Sequence, residues 1–241
     1  ATSVSTRAIP PKVAVMFAAV LNFAGAMFST GVAKTIGGDI VSSAKMVDQH
    51  IIIAALVGAI FWNLLTWWKA IPSSSSHALV GGIMGAVLIS TGTTGLNWFG
   101  IMKIVASLIL SPLLALGIGF LIMKTLGFIF CNFAPAKLNH KFKKMQILSA
   151  GLMAFSHGSN DAQKAMGIIT LALLSGGYIN TLEVPTWVKL AAATAMGLGT
   201  AAGGWKIIKT MGGKIFKLEP ISGFAADLNS SMVVFGATLL H

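Results

Sequence analysis

The chain alternates long apolar runs with short polar breaks, and the run lengths match a bilayer. A transmembrane helix needs about 20 apolar residues to cross a hydrocarbon core of roughly 30 Å. Residues 13–33, 51–68, 98–130 and 187–204 supply such runs, and another begins at residue 221. Two further stretches, 72–90 and 145–175, are apolar but interrupted by polar clusters, and both are read as broken elements. Pro112 falls inside the 98–130 run and predicts a kink. The pattern predicts six complete crossings and the start of a seventh, in an all-α membrane protein.

Composition supports this reading. Hydrophobic residues make up 55% and charged residues only 10%, against about 25% charged in soluble domains. Mean hydropathy is +0.83. The net charge of +11 would point a soluble chain toward nucleic acid. Here the cations lie between apolar runs, as they do in cytoplasmic loops, so membrane lipid is the expected partner and nucleic acid is not. Lys137, Lys141, Lys143 and Lys144 mark 137–144 as a cytoplasmic loop. Counting forward, 176–185 lies outside without Lys or Arg, and Lys206, Lys209, Lys214 and Lys217 lie inside. Counting backward, 91–97 lies outside, Lys69 inside, 39–48 outside, and Arg7 and Lys12 inside. The expected location is the cytoplasmic (inner) membrane, in multi-pass form. The single cysteine, Cys131, excludes an intrachain disulfide. Residues 1–10 are too polar for a signal peptide, and the chain ends inside an apolar stretch, so a fragment is expected.

Two stretches repeat. Ala18-Ala19, Gly25 and Lys34-Thr35-Ile36-Gly37-Gly38 recur as Ala192-Ala193, Gly199 and Lys209-Thr210-Met211-Gly212-Gly213. The orientation count makes the first copy run outward and the second inward. Inverted repeats of this kind build many secondary transporters, with the substrate near the midplane. Residues 1–136 are read as most of a first repeat plus a connecting helix, and 145–241 as a partial second repeat.

The polar interruptions carry the candidate chemistry. Pro72-Ser73-Ser74-Ser75-Ser76-His77 begins a helix, whose first N–H groups and positive dipole end, with four hydroxyls, suit an oxyanion. The plainer alternative is a Ser-rich cap. Ser156-His157-Gly158-Ser159-Asn160-Asp161 interrupts the second stretch. An acid at membrane depth costs roughly 2.5–3.5 kcal/mol on insertion scales, so it is kept for a partner, a cavity or an ion. Gly158 is expected to let the backbone unwind, leaving Asn160 and Asp161 as oxygen ligands for a cation or proton. Lys164 is three residues on, and a structural Asp161–Lys164 pair is the alternative. Discontinuous helices are therefore expected at both places. Trp62, Trp67, Trp68, Trp98 and Trp187 read as an interfacial belt. His77 and His157 are candidates for a proton relay or for capping.

The run Gly158-Ser-Asn-Asp-Ala-Gln-Lys-Ala-Met-Gly167 resembles the second signature of the inorganic phosphate transporter (PiT) family. Pro72-Ser-Ser-Ser-Ser-His-Ala-Leu-Val-Gly-Gly82 resembles its first-repeat hairpin, and residues 1–8 resemble the sequence just after its first signature. The resemblance implies symport of inorganic phosphate with H⁺ or Na⁺ by alternating access, with no enzymatic activity and no resident cofactor or metal. Some members are taken to carry metal–phosphate, and some similar proteins take sulfate. By position, Ser73, Ser74, Ser75, Ser76, Ser159, Asn160 and Asp161 are implied as substrate ligands. Asp161, Asn160 and Asp227 are implied in cation or proton coupling. The first signature and the second-repeat hairpin are missing, and Lys34 stands where some Na⁺-coupled relatives have Glu. An anion channel is the more distant alternative, and homo-oligomerisation stays open.

Overall fold

The computed structural model describes residues 2–28, 48–133, 135–210 and 219–239. Among the described residues, eight α-helices follow one another: α1 Thr2–Ser5, α2 Pro11–Phe28, α3 Gln49–Trp68, α4 Ser75–Thr91, α5 Trp98–Phe130, α6 Pro135–Ser175, α7 Thr186–Thr210 and α8 Pro220–Leu239. A 3₁₀ turn, Gly92–Gly95, joins α4 to α5. Lys34 and most of both Lys-Thr-x-Gly-Gly segments lie outside the described residues.

Among the described residues, four stretches are long and apolar enough to cross a membrane: Pro11–Phe28, Gln49–Trp68, Ser75–Gly95 and Trp98–Phe130. Their outward residues, among them Ile53, Phe61, Ile89, Phe99 and Phe128, are exposed on the protein. In water such surface would drive aggregation, whereas in hydrocarbon it is matched to its solvent. The expected crossings at α6, α7 and α8 are helices but fall outside that apolar set. The reason is visible in α6. Its faces turn toward other helices, and Gln146, Ser149, Ser156, Ser159, Gln163 and Thr170 are buried in protein. A helix surrounded by helices can carry polar groups that a lipid-facing helix cannot.

Two expectations about α6 are corrected. The Lys-rich segment 137–144 is helix rather than loop. Pro135 opens that helix, where its missing N–H costs nothing. The segment is amphipathic. Phe142 is buried on one side between Phe130 and Phe224, while Lys141 and Lys144 point away. The stretch 145–175 is not broken either, because the backbone is helical straight through Gly158. Gly158 serves contact rather than unwinding. A Cβ there would collide with the Asn22 carbonyl oxygen, and one at Gly25 would collide with the Phe155 carbonyl oxygen. Helices α2 and α6 thus touch backbone to backbone, as small residues allow within membranes.

The two repeat copies, α2 and α7, pack antiparallel. Ala26 clusters with Val188, Ala192 and Ala193 near the start of α7. Farther along, the Ala19 carbonyl lies beside Gly197, and Ala14 and Ala18 share a cavity with Gly204 and Ile208. Helices α3 and α4 form a hairpin, closed by Gly82 against the Ala55 carbonyl. A second apolar cluster fixes the open end of this hairpin, joining Ile51, Ile52, Ala55, Ile83 and Val87 to Ile168 and Leu171 of α6.

Candidate functional site

The hairpin tip is built from its capping chemistry. The α3 helix ends through Ala70 at φ 56°, with Ile71 N–H donating to the Thr66 carbonyl at 2.9 Å. This left-handed closure usually takes glycine. Pro72 follows, and Ser74 then caps α4, its Oγ accepting from the His77 N–H at 3.4 Å. Ser75 and Ser76 therefore occupy the first turn of α4, where backbone N–H groups have no intrahelical acceptor. Trp62 Nε1 donates to Ser73 Oγ at 3.3 Å, and Trp67 Nε1 donates to the Gly203 carbonyl of α7 at 3.0 Å. Two of the tryptophans assigned to an interfacial belt thus pin the tip.

The tip meets α6 at one cation. Lys164 Nζ donates to Ser76 Oγ at 2.5 Å and to Asp161 Oδ1 at 2.7 Å. Asp161 Oδ2 also lies 3.4 Å from His157 Nδ1, one turn earlier on the helix. The side chains of Asp161 and Lys164 are each 23% exposed. What exposure they keep opens on a cavity of about 810 Å³, whose polar wall includes Asn22, Asn63, Ser75, His157, Asp161, Lys164 and Thr200. The serine stretch and the Asp161 segment, far apart in sequence, therefore share one chamber.

Not every expected ligand reaches it. Ser75 and Asp161 line the cavity, and Ser76 joins through Lys164. Ser73 and Ser74 are occupied by the tryptophan and the cap. Ser159 is buried, and its backbone N faces Gly25 of α2. Asn160 is not among the lining residues. On a helix, residues 157, 161, 164 and 168 share one face, 160 lies at its edge, and 159 turns away from it.

A smaller cavity of about 240 Å³ lies beyond α2. Asp227 of α8 stands on its wall, buried, and the Thr2 hydroxyl donates to both carboxylate oxygens at 2.7 and 2.9 Å. Asn22, His157, Thr200 and Gly204 line both cavities. Asn22 Nδ2 donates to Thr200 Oγ1 at 3.1 Å, which bridges the two repeat copies. Asn22 is buried, and its Oδ1 has no hydrogen-bond partner among the described residues. Sequence reasoning misses both Asn22 and Thr200. A lone amide in the apolar run Pro11–Phe28 was the available signal, since polar groups at membrane depth mark function. Thr200, among Ala and Gly, gave none.

Comparison with known proteins now bears on the arrangement. The phosphate transporter family model matches residues 1–138 and 132–241. A protein of Bacillus subtilis (strain 168) named "Probable low-affinity inorganic phosphate transporter" is 51% identical over 243 residues, covering 100% of this chain and 73% of the relative. One of the same name from Rhizobium meliloti (strain 1021) is 43% identical, covering 100% and 72%. A Mycobacterium leprae (strain TN) relative is 43% identical, covering 97% and 57%. Among solved structures, one named "The sodium-dependent phosphate transporter" superposes with a TM-score of 0.89 at 26% identity, covering 99% of this chain and 78% of that one. With both halves matched and this chain aligned over its whole length to relatives of 43–51% identity, the chain belongs to the phosphate transporter family.

Proposed function

We propose that this chain carries out cation-coupled transport of inorganic phosphate, with the anion bound in the larger cavity between the α3–α4 tip and α6. The observation that carries the reading is the junction of Ser76, Lys164 and Asp161 at that cavity. The first turn of α4 supplies N–H donors and a positive dipole end toward an anion. Ser75 adds a hydroxyl, and Lys164 adds a cation suited to phosphate as a point charge. The relatives' names support phosphate as cargo, and the name of the solved neighbour supports Na⁺ as an accompanying cation.

The hairpin is proposed to be re-entrant. Gln49, at its open end, lies against Gly176 just past the end of α6. Its tip rests on Lys164, about 18 Å along α6 from there at 1.5 Å per residue. Another ~30 Å of α6 separates Lys164 from Lys144 in the basic segment. A tip that stops at this depth serves a midplane site, as in transporters built on inverted repeats. The antiparallel packing of α2 and α7 supports the same plan.

Phosphate uptake by the parent protein in membranes, with the Na⁺ and pH gradients varied separately, tests the reading. Concentrative phosphate uptake that follows one of the two gradients is expected. Concentrative sulfate uptake that excess phosphate does not inhibit would reassign the cargo. Currents without accumulation would make the protein a channel.

A further inference from the structure

We propose that the Lys164 ammonium is a tethered cation, standing beside Asp161 where a mobile cation would otherwise be needed before an oxyanion could bind. The inference rests on the reading of the larger cavity as the phosphate site.

The ammonium has oxygen partners from two different elements, a carboxylate of α6 and a hydroxyl of the hairpin tip. That is how a small bound cation is held between two elements, except that here a four-carbon stem holds it. An ammonium has three donors. Two are engaged, and Lys164 lines the cavity, so the third is available to an anion there.

Charge explains why the arrangement matters. An oxyanion entering beside a bare carboxylate would meet a like charge in a partly dry chamber, an unfavourable pairing. Lys164 cancels Asp161 at 2.7 Å. The anion therefore meets a neutral pair with a donor facing it, and no ion need arrive at Asp161 first. It follows that the cation that drives transport does not act by neutralising Asp161. A purely mechanical alternative also exists, in which Lys164 is a strut holding the tip and its charge is incidental.

Small-cation rescue separates the two. In the parent protein, Lys164→Arg, Lys164→Met and Lys164→Ala are made, membrane levels are measured, and radiolabelled phosphate uptake is followed with the driving gradient held constant and no organic ammonium added. The arginine variant is expected to keep most of the uptake. The methionine and alanine variants are expected to lose at least about tenfold, because the remaining carboxylate is left uncompensated. Millimolar methylammonium should then restore several-fold uptake to Lys164→Ala, whose missing stem leaves room, and little to Lys164→Met, whose stem fills it. Phosphate binding to purified Lys164→Ala should show the same cation requirement. Parent-like uptake by Lys164→Met would overturn the proposal. So would a Lys164→Ala protein that inserts normally but is not restored by methylammonium. If the parent itself carries no phosphate, the reading of the cavity fails instead, and that result is in hand before any variant is made.

Discussion

The two carboxylates at the cavities differ in what faces them. Asp161 sits at the larger chamber, locked to an ammonium and a quarter open to the cavity. Asp227 sits at the smaller one, buried, and its described partner is a neutral hydroxyl, that of Thr2. A carboxylate already paired with a fixed cation has little to gain from a mobile one. A buried carboxylate whose hydrogen-bond partner among the described residues is a hydroxyl has more to gain, because burying a charge is costly unless it is closely paired. The comparison leads us to propose a division of labour in which the anion belongs with the fixed pair and the travelling cation or proton with Asp227.

The largest test is to neutralise each acid in turn. Asp161→Asn in the parent should lower phosphate uptake at least about tenfold while the protein still inserts, because Lys164 loses its partner. Phosphate binding to the purified variant should not weaken, since the freed ammonium can turn fully to the anion. Asp227→Asn should leave phosphate binding near that of the parent but make it insensitive to Na⁺ and pH. Equilibrium binding and uptake on the two variants, under both gradients, decide the matter. If Asp161→Asn loses the ion dependence and Asp227→Asn keeps it, the division is the wrong way round.

A smaller effect is expected where the chambers meet. Asn22 joins α2 to Thr200 of α7 across the wall common to both cavities. One hydrogen bond of this kind contributes about 1 kcal/mol, so Asn22→Ala should change phosphate uptake by no more than about fivefold. Its clearer signature should be slack coupling, with more cation entering per phosphate than in the parent. An unchanged ratio would show that the contact does not separate the two sites.

How much of this is legible in the sequence depends on the range of the interaction. Helix α5 has the same bounds in sequence and structure, because Asn97 caps it locally, its Oδ1 accepting from the Gly100 N–H. The serine stretch after Pro72 and the Asp161 segment announce themselves as polar residues within apolar runs, and Lys164 follows Asp161 by one helical turn. Their meeting is expected from the family resemblance and the repeat logic, not from local pattern. The continuity of α6 is not legible. Gly158 reads the same in isolation whether a helix unwinds or is touched by another backbone, and only the position of Asn22, far earlier in the chain, decides between them. The helical state of the basic segment 137–144 is hidden for a related reason. Basic charges of this kind predict the cytoplasmic side of a membrane whether they lie on a loop or on a helix, and the burial of Phe142 against Phe130 and Phe224 is what favours the helix.

The smallest effect concerns the turn that carries the tip to the larger cavity. Ala70 adopts φ 56°, a region where a side chain costs roughly 1–2 kcal/mol and glycine does not. Glycine would regain that strain but lose about 0.5–1 kcal/mol to the greater freedom of the unfolded chain. Ala70→Gly should therefore stabilise the protein slightly, by about 0.5–1 kcal/mol, a rise near 2 °C in thermal unfolding for a chain of this size. The hydrogen bonds that shape the turn run through the backbone of Lys69, Ala70 and Ile71, and glycine keeps them all. Phosphate binding should thus stay within about twofold of the parent. A large loss of binding, with stability raised, would mean that the strain itself positions Ser75 and Ser76. The anion site would then depend on a tensioned tip as well as on the Asp161–Lys164 pair, a dependence that Asp227, on the long uninterrupted helix α8, does not share.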